Sequence, residues 1–255
     1  MKFPVFFFSH GSPMFAVEHN EWTDAWATAM AKFPVPLAIL AVSAHWETAI
    51  PSLTGSAAPE TIHDFYGFPP ELYRLQYPAK GNPGLAADIA KTLHDTGIKA
   101  VVDEDRGIDH GAWVPLRWMY PNADIPVIEL SVQPRMDGAH HIKLGRALQL
   151  LREQGVLVVG SGHMTHNLRD YMYGVEDARP AKAFRNWTRD RIMRGAVDDL
   201  AGWTKAPHAM QAHPTPDHFL PLLVAVGAAG EDYTARQLCD GYTGRVLAMD
   251  SFIFE

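Results

Sequence analysis

The 255-residue chain holds a single cysteine, Cys239. That excludes an internal disulfide and a thiolate metal cage, and it points to a reducing, cytoplasmic setting. Apolar runs are short, and none approaches the roughly 18 consecutive residues of a membrane-spanning helix. Residues 3–8 are apolar but too few for a secretory signal core. They run into Ser-His-Gly-Ser-Pro rather than a small-residue cleavage site. Basic charge is scarce as well: the formal net charge is -7 and the isoelectric point about 6.0. A nucleic-acid partner would normally call for a basic stripe. There is no Gly-x-Gly-x-x-Gly or Gly-x-x-x-x-Gly-Lys loop for nucleotide phosphates, and no His-Glu-x-x-His. Gly160-Ser161-Gly162 and Gly11-Ser12 lack the Gly-x-Ser-x-Gly elbow that exposes a nucleophilic serine. No repeat or low-complexity linker divides the chain, so one domain over 1–255 is expected.

What the sequence has in excess is histidine, thirteen in all. The central stretch is 37–47, Leu-Ala-Ile-Leu-Ala-Val-Ser-Ala-His-Trp-Glu. An unbroken apolar run entered through Pro36 reads as a strand buried on both faces of a parallel sheet. Its polar end delivers His45. The first strand, 3–9, likewise ends in His10-Gly11-Ser12-Pro13, and the strand at 156–160 leads to His163 and His166. In open α/β sheets, ligands collect at the carboxyl ends of strands. Amphipathic helices are expected at 21–32, at 83–97 behind the Asn82-Pro83 cap, at 113–120, at 137–154 and at 180–203. Further strands are expected at 99–103, 125–132 and 245–254. The expected fold is therefore α/β: a single domain with a mostly parallel central sheet flanked by helices and a metal site at the strand carboxyl ends.

His110 stands in Asp109-His110-Gly111, either as a ring oriented by a neighbouring carboxylate or as part of a capped turn before a helix. His218 enters from a helix start near Pro216. Residues 61–69 are dense in aromatics, as an active-site loop or as a surface loop tied down by them. Neutral imidazole suits Zn²⁺, Fe²⁺, Cu²⁺ or Ni²⁺, and three ligands with open positions mark a catalytic site. The alternative from the residues alone is a set of capping and core histidines.

His10-Gly11-Ser12-Pro13, Ser43-Ala44-His45-Trp46, His63-Asp64-Phe65, Asp109-His110-Gly111, Thr165-His166-Asn167 and Pro214-Thr215-Pro216-Asp217-His218 occur in one order. Together they resemble the class III extradiol ring-cleavage dioxygenases, in the branch similar to 4,5-DOPA extradiol dioxygenase, over nearly the whole chain. The resemblance implies His10, His45 and His218 as metal ligands, His166 as the acid/base histidine and His110 as an auxiliary one. It implies a catechol-type, DOPA-like substrate and O₂; composition has already argued against nucleic acid and membrane as partners. His63, Tyr66 and Trp113 are expected near the substrate ring. Protocatechuate-cleaving relatives complete a two-histidine, one-carboxylate set, whereas His218 takes the third position here. An all-histidine set tolerates Zn²⁺, so zinc in isolated protein and Fe(II) in the active form are both expected. A zinc hydrolase, with Asp217 or Asp109 as base, and a non-catalytic metal-binding member of the same fold are the alternatives.

Overall fold

Alternate side chains of the second strand enter two different cores, and this two-sidedness organises the molecule. The computed structural model describes residues 2–255. In chain order its elements begin β1 (Val5–Ser9), α1 (Glu21–Ala29), β2 (Ala38–Glu47), β3 (Ser52–Thr54), α2 (Pro83–Asp95), β4 (Val101–Asp103), α3 (His110–Met119), β5 (Val127–Val132) and α4 (Gly138–Ala147). They continue with β6 (Val156–Gly162), α5 (Leu168–Tyr173), α6 (Arg179–Met193), α7 (Val197–Ala201), α8 (Ala209–Ala212) and α9 (Leu220–Ala229). The chain closes with β7 (Ala235–Cys239), β8 (Tyr242–Thr243), β9 (Leu247–Ala248) and β10 (Ser251–Phe254).

Eight strands form one sheet in the order β4-β3-β5-β2-β6-β1-β10-β7. The central four, β5, β2, β6 and β1, are parallel, with Val42 opposite Gly160 and Phe7 opposite the same glycine on the other side. Antiparallel β10 and β7 extend one flank, and β3 joins β5 antiparallel on the other. Val5, Phe7, Leu40 and Val42 pack with α2, α4 and α9 on one face. Phe6, Phe8, Ile39 and Ala41 pack with α1 and α3 on the other. Because both faces are covered, β2 reads as a continuous apolar run rather than an alternating one. Each fully buried phenylalanine of β1 contributes roughly 1.5–3 kcal/mol of transfer free energy. α9 is buried on every side, and no helix among the described residues is long and apolar enough to cross a membrane.

The local signals held in several places. Asn82 caps α2 through the Leu85 N–H, and Gly97 ends the turn at φ +77°. Asp137 caps α4. Elsewhere the structure corrects the sequence expectation. The single helix expected over 180–203 is two, α6 and α7, parted at Gly195, whose φ of +66° a helix cannot continue through. α3 begins at His110, three residues earlier than expected. The proline in the first turn of α9 is Pro221, not Pro216. The strand expected over 245–254 narrows to β10, preceded by the β8–β9 ladder. Neither the three-residue β3 nor the half-polar β7 was expected.

Candidate metal centre

β2, β6 and β1 are adjacent and parallel, so their carboxyl ends open on one edge of the sheet. His10 follows β1 directly, His45 lies in the last turn of β2, and His163 and His166 follow β6. α3 opens with His110, and His218 sits in the turn leading into α9. Six histidines thus converge. The His10 ring centre lies 5.0 Å from that of His45, 5.4 Å from His218 and 5.6 Å from His110. His45 and His218 are 4.8 Å apart. His166 stacks on His218 with 9° between the ring planes and 3.4 Å between centres.

Gly162 allows His218 to come this close, and Gly160 lets the first turn of α9 seat on the same strand. A Cβ on Gly160 would stand 2.5 Å from the Pro221 carbonyl oxygen, and one on Gly162 would overlap the His218 carbonyl. With only hydrogen at both positions, the turn before α9 lies directly on β6, where the His163 N–H donates to the His218 carbonyl at 2.8 Å. Ser161, between them, is no free nucleophile. Its hydroxyl donates to the Gly111 carbonyl and accepts from His10 Nδ1 at 3.0 Å.

That hydrogen bond fixes the His10 tautomer: Nδ1 carries the proton and Nε2 a lone pair. The same logic holds for His218, whose Nδ1 donates to the Asp217 carboxylate. His45 directs Nδ1 toward Asp64 Oδ2 at 3.4 Å, and His110 donates Nδ1–H to Asp64 Oδ1 at 2.9 Å. The inner nitrogens of His10 and His218 are therefore acceptors. His45 Nε2 and His10 Nε2 face one another at 3.1 Å, and buried His218 Nε2 has no hydrogen-bond partner. Protonating these rings would relieve the conflict, but burial opposes it. His45 is pushed down to about 4, and His10 and His218 lie well below the ordinary histidine value, first through burial and then through one another. Neutral imidazoles with outer nitrogens held by a hydroxyl or carboxylate and inner lone pairs converging are the donor set a divalent cation requires. The residues fit a non-haem metal. Two sets of donor atoms each lie within 4.8 Å of one another: His10, His45 and His110, and His166, Asp217 and His218.

The remaining expected residues fall into two groups. Tyr66 borders the cavity and is 90% exposed. Trp113, by contrast, is fully buried and donates Nε1–H to the Ile62 carbonyl, while His63 Nε2 meets the Leu75 carbonyl. Neither lines the cavity; both support the loop that carries Phe65 and Asp64. The carboxylate expected to orient His110 was its neighbour Asp109, but the partner is Asp64. Asp109 is turned into the protein, accepting from Ser43 Oγ at 2.6 Å and from Arg106 at 3.0 Å. Burial works to raise the Asp64 carboxyl, yet hydrogen bonding and proximity to His110 outweigh it and hold it ionised. Sequence reasoning missed Asp64 and Ser161 as site components, and it gathered His163 with the other histidines without giving it a role. His163 is buried beside His10 with Nδ1 facing the Ala248 carbonyl, and burial takes it down to about 3. The one sequence signal for Asp64 was its place in His63-Asp64-Phe65.

Relatives share both the sequence and this frame. The chain is 43% identical to a 4,5-DOPA dioxygenase extradiol of Beta vulgaris, over 98% of this chain and 96% of that one. It is 41% identical to one of Portulaca grandiflora, over 98% and 94%. The crystal structure of an uncharacterized protein from Escherichia coli K12 superposes with a TM-score of 0.85 at 32% identity, covering all of both chains. The model of the catalytic LigB subunit of aromatic ring-opening dioxygenase matches residues 4–245. With its histidines gathered at the carboxyl edge of a parallel sheet, the chain belongs to that family of aromatic ring-opening dioxygenases.

Proposed function

We propose that the protein opens a catechol-type ring beside its two hydroxyls, as one catalytic domain, with a divalent iron held by His10, His45 and His218. The observation that carries this reading is the gathering of these three rings, with centres 4.8 to 5.4 Å apart, each with Ser161, Asp64 or Asp217 facing its outer nitrogen. Bound there, Fe(II) supplies the redox chemistry with O₂ that the side chains lack; zinc in the same nitrogens supplies none. In the overall reaction a ring carbon–carbon bond next to the diol breaks and both atoms of O₂ enter the product. One atom becomes part of a carboxylate and the other of an aldehyde. The ring itself furnishes the electrons, so no further reductant is needed.

The chain's own groups handle binding and protons. His166 makes no side-chain hydrogen bond and lies in the cavity wall, stacked on His218. Burial, then His218, keeps it well below the ordinary histidine value, so it is neutral and able to take a hydroxyl proton from an arriving catechol. His110, with Nδ1 tied to Asp64, turns Nε2 to the same space as a second acceptor. Phe65, packed edge-on against His110, closes one side and excludes water. A hydrolase would need a carboxylate free to act as base. Asp64 and Asp217 are committed to histidines and Asp109 to Ser43 and Arg106, which favours ring opening.

The test is anaerobic loading of metal-free protein with Fe(II), followed by oxygen uptake on a panel of catechols. Uptake with a yellow ring-opened product is expected, with none from the zinc form. Iron-loaded protein that consumes no oxygen across the panel overturns the reading.

A further inference from the structure

The cavity above the histidines has two chemically distinct halves. Its volume is about 520 Å³, enough for a ring with a substituent. The floor is imidazole. The walls and mouth are mostly apolar, with Phe65 and Phe68 from one loop, Leu247 from β9, and Leu168, Tyr171 and Met172 from α5; Ser12, Tyr66 and Thr243 add uncharged hydroxyls. The three from α5 recur at helical spacing, so α5 turns one apolar face to the cavity while Arg169 stays exposed. Leu168 is 47% exposed and Met172 67%. Large apolar side chains this open, continuous with a catalytic cavity, mark where a ligand's own apolar surface is expected to rest.

No lysine or arginine lines this cavity among the described residues, and its only carboxylate is Asp64. Both oxygens of Asp64 already face histidine nitrogens. Of the guanidinium groups on nearby elements, Arg245 donates to the Val175 carbonyl, Arg185 is paired with Asp250 and Arg106 with Asp109, while Arg169 of α5 lies outside the lining. A carboxylate carried on the catechol's side chain would leave water for a mostly apolar wall with no cation to meet it, which is unfavourable.

Resting on the ring-opening reading above, we infer that the substrate is a catechol whose substituent is uncharged and apolar, seated against Phe68, Leu168 and Met172, rather than one bearing a carboxylate. This sets the chain apart from what the names of its relatives say of them, since DOPA carries a carboxylate and an ammonium group.

The experiment compares 3-(3,4-dihydroxyphenyl)propanoate with its methyl ester, which differ in charge and little in shape, on iron-loaded protein. Oxygen uptake gives kcat/KM, and anaerobic calorimetry gives Kd. The ester is expected to exceed the acid by about tenfold or more in kcat/KM, with the difference carried by KM and Kd. Met172→Arg, at an exposed position where folding is not at stake, is expected to bring the two within a few-fold by raising the acid. Equal values for acid and ester in the native protein, or a preference for the acid, overturn the inference while leaving ring opening intact. Absence of oxygen uptake with both compounds and with unsubstituted catechol overturns the ring-opening reading and the inference with it.

Discussion

Replacing Gly162 by alanine tests whether the metal site depends on a missing side chain. A Cβ there would overlap the His218 carbonyl by about 1 Å relative to ordinary contact, and backbone on both sides leaves no flexible atom to yield. The turn before α9 must retreat, and His218 Nε2 moves with it. Metal–ligand distances tolerate only about 0.2 Å, so the third bond lengthens or is lost. We expect metal affinity to fall about 10–100-fold, the range seen when a ligand loses its orientation. Overpacking should cost roughly 1–3 kcal/mol of stability besides. Competition against a chromophoric chelator reads the first quantity and urea unfolding of the metal-free protein the second. Gly160→Ala is the control: it crowds the Pro221 carbonyl on the same strand without touching a proposed ligand. It should destabilise comparably and bind metal more nearly as the native protein does. Native affinity in Gly162→Ala, or equal losses in the two variants, would refute the reasoning.

His218→Ala should strip most of the metal while His110→Ala retains it, by metal analysis of dialysed protein; the opposite result would make His110 the third ligand. His166→Gln should keep its metal and lower turnover about 10²–10⁴-fold under saturating catechol, and near-native turnover would remove it from proton transfer. Asp217→Ala should weaken metal binding about 10–100-fold by releasing His218 Nδ1, and an unchanged chelator titration would show that the contact does not orient the ring. Glu129, buried on β5, offers a pH test. Burial, then the adjacent Asp109 carboxylate, hold its carboxyl well above the ordinary value, so it stays protonated in the fold. The unfolded chain releases that proton above about pH 4.3, so stability is full below that pH and is lost as pH rises toward the folded value. Glu129→Gln should remove this slope. Unfolding midpoints of variant and native protein that run parallel from pH 4 to 8 would contradict it.

The strands that carry ligands were legible because their chemistry changes sharply along the chain. In β2, apolar residues run to Val42 and polar ones begin at Ser43, so the strand and its delivery of His45 appear together. The Asn82-Pro83 start and Gly97 stop of α2 are equally local. What escaped was tertiary. His110 is oriented by Asp64, 46 residues away, in preference to the aspartate beside it, because Ser43 and Arg106 draw Asp109 inward. Trp113, expected to stack on a substrate, is spent in the core, since an indole on the inner face of α3 meets Ile62 before it meets the cavity. In Gly160-Ser161-Gly162 the serine drew attention, whereas it is Gly162 that admits His218. Only the packing of α9 on β6 reveals that division of roles.

The distance along the chain between His10 and His218 bears on how the protein is made. β1, which carries His10, finds its sheet neighbours only in β6 and β10, and the turn with His218 follows both β6 and four further helices. On the proposed ligand set, a ribosome has delivered more than four-fifths of the polypeptide before the third imidazole exists. On that reading a divalent metal has no complete seat until most of the chain has been made, so its capture is expected late in synthesis or after it. The hydrogen bonds to Ser161 and Asp217, which orient His10 and His218 from behind, come from residues on β6 and in the same turn, so both rings take their orientation from the same late-arriving part of the chain.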